Sequence, residues 1–154
     1  MNLIKAPNKL DFKGLSVFLC GSIEMGSAIN WQTYVIEKLK DLDITVLNPR
    51  RDDWDSSWVQ SIDNPQFREQ VEWELEAQEK ADVIVIYFDK DTKSPITLLE
   101  LGLFVRSGKL IVCCPEGFWR KGNVDIVCKK YNVTQVDSLD KLVEGLRRLF
   151  DRIM

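Results

Sequence analysis

The sequence predicts an α/β domain, a flavodoxin-like, doubly wound, five-stranded parallel sheet with strand order 2-1-3-4-5. Three observations predict it. Short apolar runs such as 82–88 (Asp82-Val83-Ile84-Val85-Ile86-Tyr87-Phe88) have strand length and no polar alternation, as strands covered on both faces do. Segments of helical length and period separate those runs. The 154 residues, without repeats or low-complexity tracts, suit a single domain spanning 1–154.

In chain order, residues 1–14 are polar, carry Pro7 and Gly14, and read as an irregular lead-in. Leu15 to Cys20 is the first strand, bounded by Gly14 and Gly21. The small-residue loop Gly21-Ser22-Ile23-Glu24-Met25-Gly26-Ser27 follows. A helix from about Asn30 to Leu42 packs through Trp31, Tyr34, Val35, Ile36 and Leu39. Ile44 to Leu47 is the second strand, broken by Asn48-Pro49. Residues 48–65 form a long connection of the kind that often carries function. A helix spans 65–80, and the third strand is 82–88. Ser94 as N-cap and Pro95 at the first position open the next helix, to about Arg106. Leu110 to Cys114 is the fourth strand, Val124 to Tyr131 a short helix, and Val133 to Val136 the fifth strand. A last amphipathic helix runs from Ser138 to about Arg152.

Composition narrows the chemistry. Net charge is −3 with no basic tract, which argues against a nucleic-acid polymer as partner. No apolar run reaches the length of a membrane span, and the first residues lack a signal-peptide pattern. Cys20, Cys113, Cys114 and Cys128 make no CxxC pair, so free thiols in a reducing, cytoplasmic setting are expected, with no metal. There is no histidine, which leaves carboxylates as the acids and bases.

Two carboxylates stand out. Glu100 is surrounded in sequence by Leu98, Leu99, Leu101, Leu103, Phe104 and Val105, a helix expected to be buried on most sides. Acids are rarely buried without a partner or a task. The N-terminus of its helix favours the anion. On the preceding helix Phe67, Val71 and Leu75 define an inward stripe, and Glu74 falls inside it. The plainer placements are a solvent seam for Glu100 and a pairing with Arg68 for Glu74. Asp82 begins a strand, at the wrong end of the sheet for a ligand site, and reads as a turn or capping residue. Ligands of doubly wound sheets bind beyond the carboxyl ends of the strands where the winding reverses, here after Cys20 and after Phe88. Two acids at that place are the equipment of glycosidic-bond chemistry. The loop at Gly21, Ser22 and Ile23 offers backbone N–H groups to a sugar hydroxyl or a phosphate.

With Phe18-Leu19-Cys20-Gly21-Ser22-Ile23, Ala81-Asp82-Val83-Ile84-Val85 and Leu99-Glu100-Leu101-Gly102 in this order and spacing, the chain resembles the nucleoside 2-deoxyribosyltransferase family and its N-glycosidase relatives, from about Val17 to Cys114. The resemblance implies a flavodoxin-like fold, no cofactor, and homodimers or higher oligomers with a shared active site. It makes Glu100 the nucleophile and Glu74 the helical acid, usually Asp. Ser94 stands where the well-known transferases have Asp and the mononucleotide N-glycosidases have Ser. Glu24 and Met25 stand where those N-glycosidases place basic side chains by a phosphate. Asn123 is the polar residue lent by a neighbouring subunit. Ser22 and Ser94 would hold the sugar, and Arg50, Asp52 and Trp54 would line the base pocket. The implied substrates are a 2′-deoxynucleoside and a free nucleobase. Hydrolysis of deoxynucleosides or deoxynucleotides, or nucleotide binding without turnover, are the alternatives.

Overall fold

The structure, a computed structural model, describes residues 1–23 and 30–153. Glu24 and Met25 lie outside the described residues. Six strands form one parallel sheet: β1 (Asn2–Lys5), β2 (Ser16–Gly21), β3 (Thr45–Asn48), β4 (Val83–Tyr87), β5 (Leu110–Cys113) and β6 (Thr134–Val136), in the order β1-β3-β2-β4-β5-β6. The helices are α1 (Trp31–Leu39), α2 (Pro65–Lys80), α3 (Pro95–Phe104), α4 (Lys121–Lys130) and α5 (Leu139–Ile153).

The five expected strands keep their expected order. The sixth is a correction: the lead-in supplies β1, which pairs in parallel with β3 from Asn2 opposite Thr45 to Lys5 opposite Asn48. Of its four residues only Ile4 is buried, so β1 lacked the apolar run that marks the central strands.

Side chains alternate across the sheet and fill two cores. Phe18, Cys20, Ile84, Ile86 and Val112 face Trp73 and Ala77 of α2, Leu101 and Val105 near α3, and Val124 and Cys128 of α4. Val17, Leu19, Val85 and Ile111 face Trp31 and Val35 of α1 and Leu142, Leu146 and Phe150 of α5. Cys20 thus points to the α2–α3 side. The winding reverses between β2 and β4, whose pairing ends at Gly21 opposite Tyr87. Gly21 is needed there: a Cβ would lie 2.4 Å from the Tyr87 carbonyl oxygen and 2.7 Å from the Trp31 ring.

Two expectations about the helices change. α3 is not buried on most sides: Thr97 and Leu101 are buried, while Ile96, Leu99 and Leu103 are 60%, 59% and 56% exposed. The inward residues of α2 are Gln70, Trp73, Ala77 and Gln78, not the stripe of Phe67, Val71 and Leu75, and Leu75 is exposed. Asn64 caps α2, its Oδ1 accepting from the Phe67 N–H at 3.0 Å, and Pro65 takes the first helical position.

Candidate active site

α2 carries Gln70, Glu74 and Gln78 at a spacing of four, so all three side chains fall on neighbouring turns of one face. That face looks across to Glu100 on α3 and Cys20 on β2. Gln78 is fully buried; its Nε2 donates to Glu100 Oε2 in a short hydrogen bond and to the Glu74 carbonyl at 3.1 Å. The Cys20 thiol faces the Glu100 carboxylate from β2 and favours its anion. Gln70 Nε2 donates to the Pro49 carbonyl at 2.8 Å and to Glu74 Oε1 at 3.3 Å. Glu74 and Glu100 therefore share one polar nest inside an apolar layer, each still partly exposed. Arg68, the alternative partner for Glu74, pairs with Glu72 instead.

The electrostatics are uneven. Burial, then the charge of Glu100, push Glu74 up to about 8, with the long bond from Gln70 acting the other way. Burial pushes Glu100 up to about 7, with Gln78 and Cys20 opposing it. The two acids titrate as a pair. Gln78 donates to Glu100 while Glu74 has only the long bond from Gln70, so Glu100 ionises first and Glu74 keeps its proton to higher pH. The dipole of α3 adds little, because Glu100 is the sixth residue of that helix and the effect fades beyond the first turn.

Ser22 and Ser94 are both buried, and their hydroxyls hydrogen-bond each other. Thr92 joins them, its Oγ1 lying 3.2 Å from Ser22 Oγ and 2.7 Å from Ser94 Oγ, while the Asp89 N–H donates to Ser22 Oγ at 2.9 Å. This knot ties the end of β2 to the segment entering α3. Ser94 precedes α3 but does not cap it with its side chain, contrary to expectation: its φ of 46° is left-handed and its hydroxyl goes to the knot. Left-handed backbone in a non-glycine residue is strained and concentrates at functional sites. Gly21 ends β2 beside the knot, and Ile23 is the last described residue before residue 30.

The 48–65 connection divides. The Arg50 N–H donates to Asn48 Oδ1 at 3.0 Å, and burial lowers the guanidinium's pKa. The Trp54 ring lies 5.0 Å from Trp58, and its indole Nε1 is buried with no partner among the described residues. Arg51 pins the loop to α2 through Glu69 at 3.0 Å. The Asp52 side chain is 82% exposed and bonded to Lys5 on β1. Asn123 is exposed on the first turn of α4. Asp82 accepts from the Ser16 N–H at 2.9 Å, at the amino end of the sheet.

Sequence reasoning missed Gln70, Gln78, Thr92 and the orientation of Cys20. The spacing of four around Glu74 was the available signal for the two glutamines. Among the described residues no three His, Cys, Asp or Glu side chains form a metal-holding group, and no helix is long and apolar enough to cross a membrane.

A family profile described as nucleoside 2-deoxyribosyltransferase-like matches residues 14–118. Among solved structures the chain is similar to a conserved protein from Enterococcus faecalis V583, at 16% identity and a TM-score of 0.61, over 87% of this chain and 98% of that one. At that identity the likeness speaks for the fold alone. No curated protein matches the chain.

Proposed function

Because the chain belongs to the nucleoside 2-deoxyribosyltransferase-like family, we propose that it cleaves the N-glycosidic bond of a 2′-deoxynucleoside and passes the deoxyribose to a second, free nucleobase through an ester on Glu100. The observation that carries this reading is the unequal acid pair: Glu100 has the short bond from Gln78, while Glu74 has one long bond and the field of Glu100. That inequality gives one anion and one acid near neutral pH.

In the first step a Glu100 carboxylate oxygen attacks C1′. The C1′–N bond breaks, its electron pair goes to the departing base, and Glu74 gives that base its proton. In the second step a nitrogen of the incoming base attacks C1′ and returns the ester electrons to Glu100. Glu74 takes the proton back. A 2′-deoxy sugar tolerates positive charge at C1′, so a carboxylate nucleophile suffices. Arg50 and Trp54 would line the base pocket, the buried indole N–H being open to an acceptor on the base. Ser22 and Ser94 would act through the hydroxyl knot, holding the sugar's side of the site at Gly21 and Ile23.

A homodimer or larger assembly sharing the site goes with this reading. The helix that carries Glu100 exposes Ile96, Leu99 and Leu103 beside it, and among the described residues no atom lies near the place of a Cβ at Gly102. Asn123, exposed in its own chain, would complete a neighbour's pocket. The four cysteines are buried and free, in keeping with work in the cytoplasm.

Ser94 favours a second reading, in which water instead of a base resolves the ester and the products are free base and deoxyribose or its phosphate. Incubating the protein with a panel of deoxynucleosides and deoxynucleotides, with and without a second base, decides the matter by chromatography. New nucleosides establish transfer, and free sugar with no new nucleoside establishes hydrolysis. No turnover of any member overturns both.

A further inference from the structure

The carboxylate at 100 is held by a side chain that is not itself acidic. Gln78 is fully buried, one helical turn beyond Glu74, and its Nε2 is shared between the Glu74 carbonyl and Glu100 Oε2. Only the amide nitrogen can donate, so this contact fixes which way the amide faces. The backbone beneath it is anchored as well: Lys109 Nζ donates to the carbonyls of Gln78 and Glu79, at 3.4 and 2.8 Å, closing the end of α2. Burying an amide this deeply in an apolar layer costs free energy that an apolar residue would avoid. Its Oε1 has no donor among the described residues, so half of the amide is left unsatisfied to place the other half on Glu100.

We propose that Gln78 is the positioning residue of the nucleophile: its amide occupies Oε2 of Glu100, so that Oε1 is the oxygen presented to the sugar carbon. The role in turnover rests on the glycosyl-transfer reading above; the hold on the carboxylate does not. A donor on one oxygen stabilises the anion and removes the rotation that would present either oxygen at random. The ionisable groups facing Glu100 are Glu74 on α2 and the Cys20 thiol on β2. Loss of the Gln78 donor therefore leaves the carboxylate facing the thiol, in the same apolar surroundings and beside the same second acid.

The test is Gln78→Met, which keeps length and bulk and removes the donor. The side-chain carboxyl of Glu100 is followed by carbon-detected NMR in the protein without substrate, assigned with Glu100→Gln. Its titration midpoint should rise by about one pH unit or more in Gln78→Met. In turnover, kcat should fall about tenfold or more, with KM changed much less, and the acidic limb of the pH profile should move up with the midpoint. An unmoved midpoint overturns the proposal whatever happens to activity, because a merely structural glutamine would lower stability without touching that titration. A raised midpoint with unchanged kcat also overturns it. If Gln78→Met does not fold, Gln78→Asn, whose amide falls one carbon short of Oε2, must show the same shift. A wild-type protein that turns over no deoxynucleoside defeats the functional reading alone, and the titration still decides whether Gln78 holds Glu100.

Discussion

α5 and α3 lie on opposite faces of the same sheet and treat their side chains in opposite ways. α5 buries Leu142, Val143, Leu146 and Phe150 and turns its charges to water. α3 is more apolar, yet it exposes Ile96, Leu99 and Leu103 and directs a carboxylate inward. The face of the sheet under α5 is packed by aliphatic and aromatic side chains, from Val17, Leu19 and Val85 to Leu142, Leu146 and Phe150. The face under α2 and α3 spends stability on two half-buried acids, the buried Gln70 and Gln78, and a left-handed serine. Charge inside and leucine outside on one helix fit the ligand and the partner proposed above.

The largest expected effect is on activity. Glu100→Gln should reduce base exchange by about 10³-fold or more while leaving the melting temperature unchanged or higher. Steady-state rates with a purine deoxynucleoside and a second base, beside a melting curve, check both parts. On the stability face, Leu146→Ala removes a fully buried side chain and should cost about 2–5 kcal/mol in urea unfolding. If it costs no more than an exposed leucine on α3, the contrast between the two faces fails.

Glu74→Gln tests the same contrast through pH. Its carboxyl lies well above the ordinary range when folded. Folding is therefore opposed by ionisation: the acid costs little below its unfolded pKa of about 4.3, and the protein loses stability as pH rises from there through the folded value. Glu74→Gln should be close to neutral at pH 5 and stabilising by about 1–3 kcal/mol at pH 9, a sign opposite to that of most core substitutions. Denaturant curves at the two pH values measure it. A variant equally destabilised at both would mean that Glu74 is satisfied as an anion.

The smallest effect on the single chain belongs to Leu103→Ser, which should change its stability by no more than about 0.5 kcal/mol. The same change should shift sedimentation toward the monomer. A wild-type protein that sediments as a monomer at micromolar concentration would leave the exposed face of α3 without the partner assigned to it.

What could be read from the residues follows from what each signal reports. β2, β4 and α5 were legible because a continuous apolar run and a helical period are direct consequences of being covered on two faces or on one. β1 was not, since an edge strand of four residues with one buried side chain leaves no such trace. α3 misled because apolar residues all round a helix signal coverage without saying whether the cover comes from the same chain. The stripe on α2 was placed about a quarter turn away from the true one. Hydrophobicity selected Phe67, Val71 and Leu75, while the interior holds Gln70 and Gln78, which are inside because of the acids they bond. Glu74 lies on the border of both stripes, which is why its inward direction survived the error. Asp52 pairs with Lys5 on β1, a strand that hydrophobic patterning does not mark, so that contact could not be read from the residues.

One measurement bears on all of this more directly than the rest. The protein is mixed with a 2′-deoxynucleoside without acceptor, quenched in acid, digested, and its peptides weighed by mass spectrometry. The account predicts a deoxyribose ester on the peptide containing Glu100, lost when a second base is added before the quench and absent in Glu100→Gln. Release of base with no sugar on that peptide, or with the sugar on another residue, would contradict it.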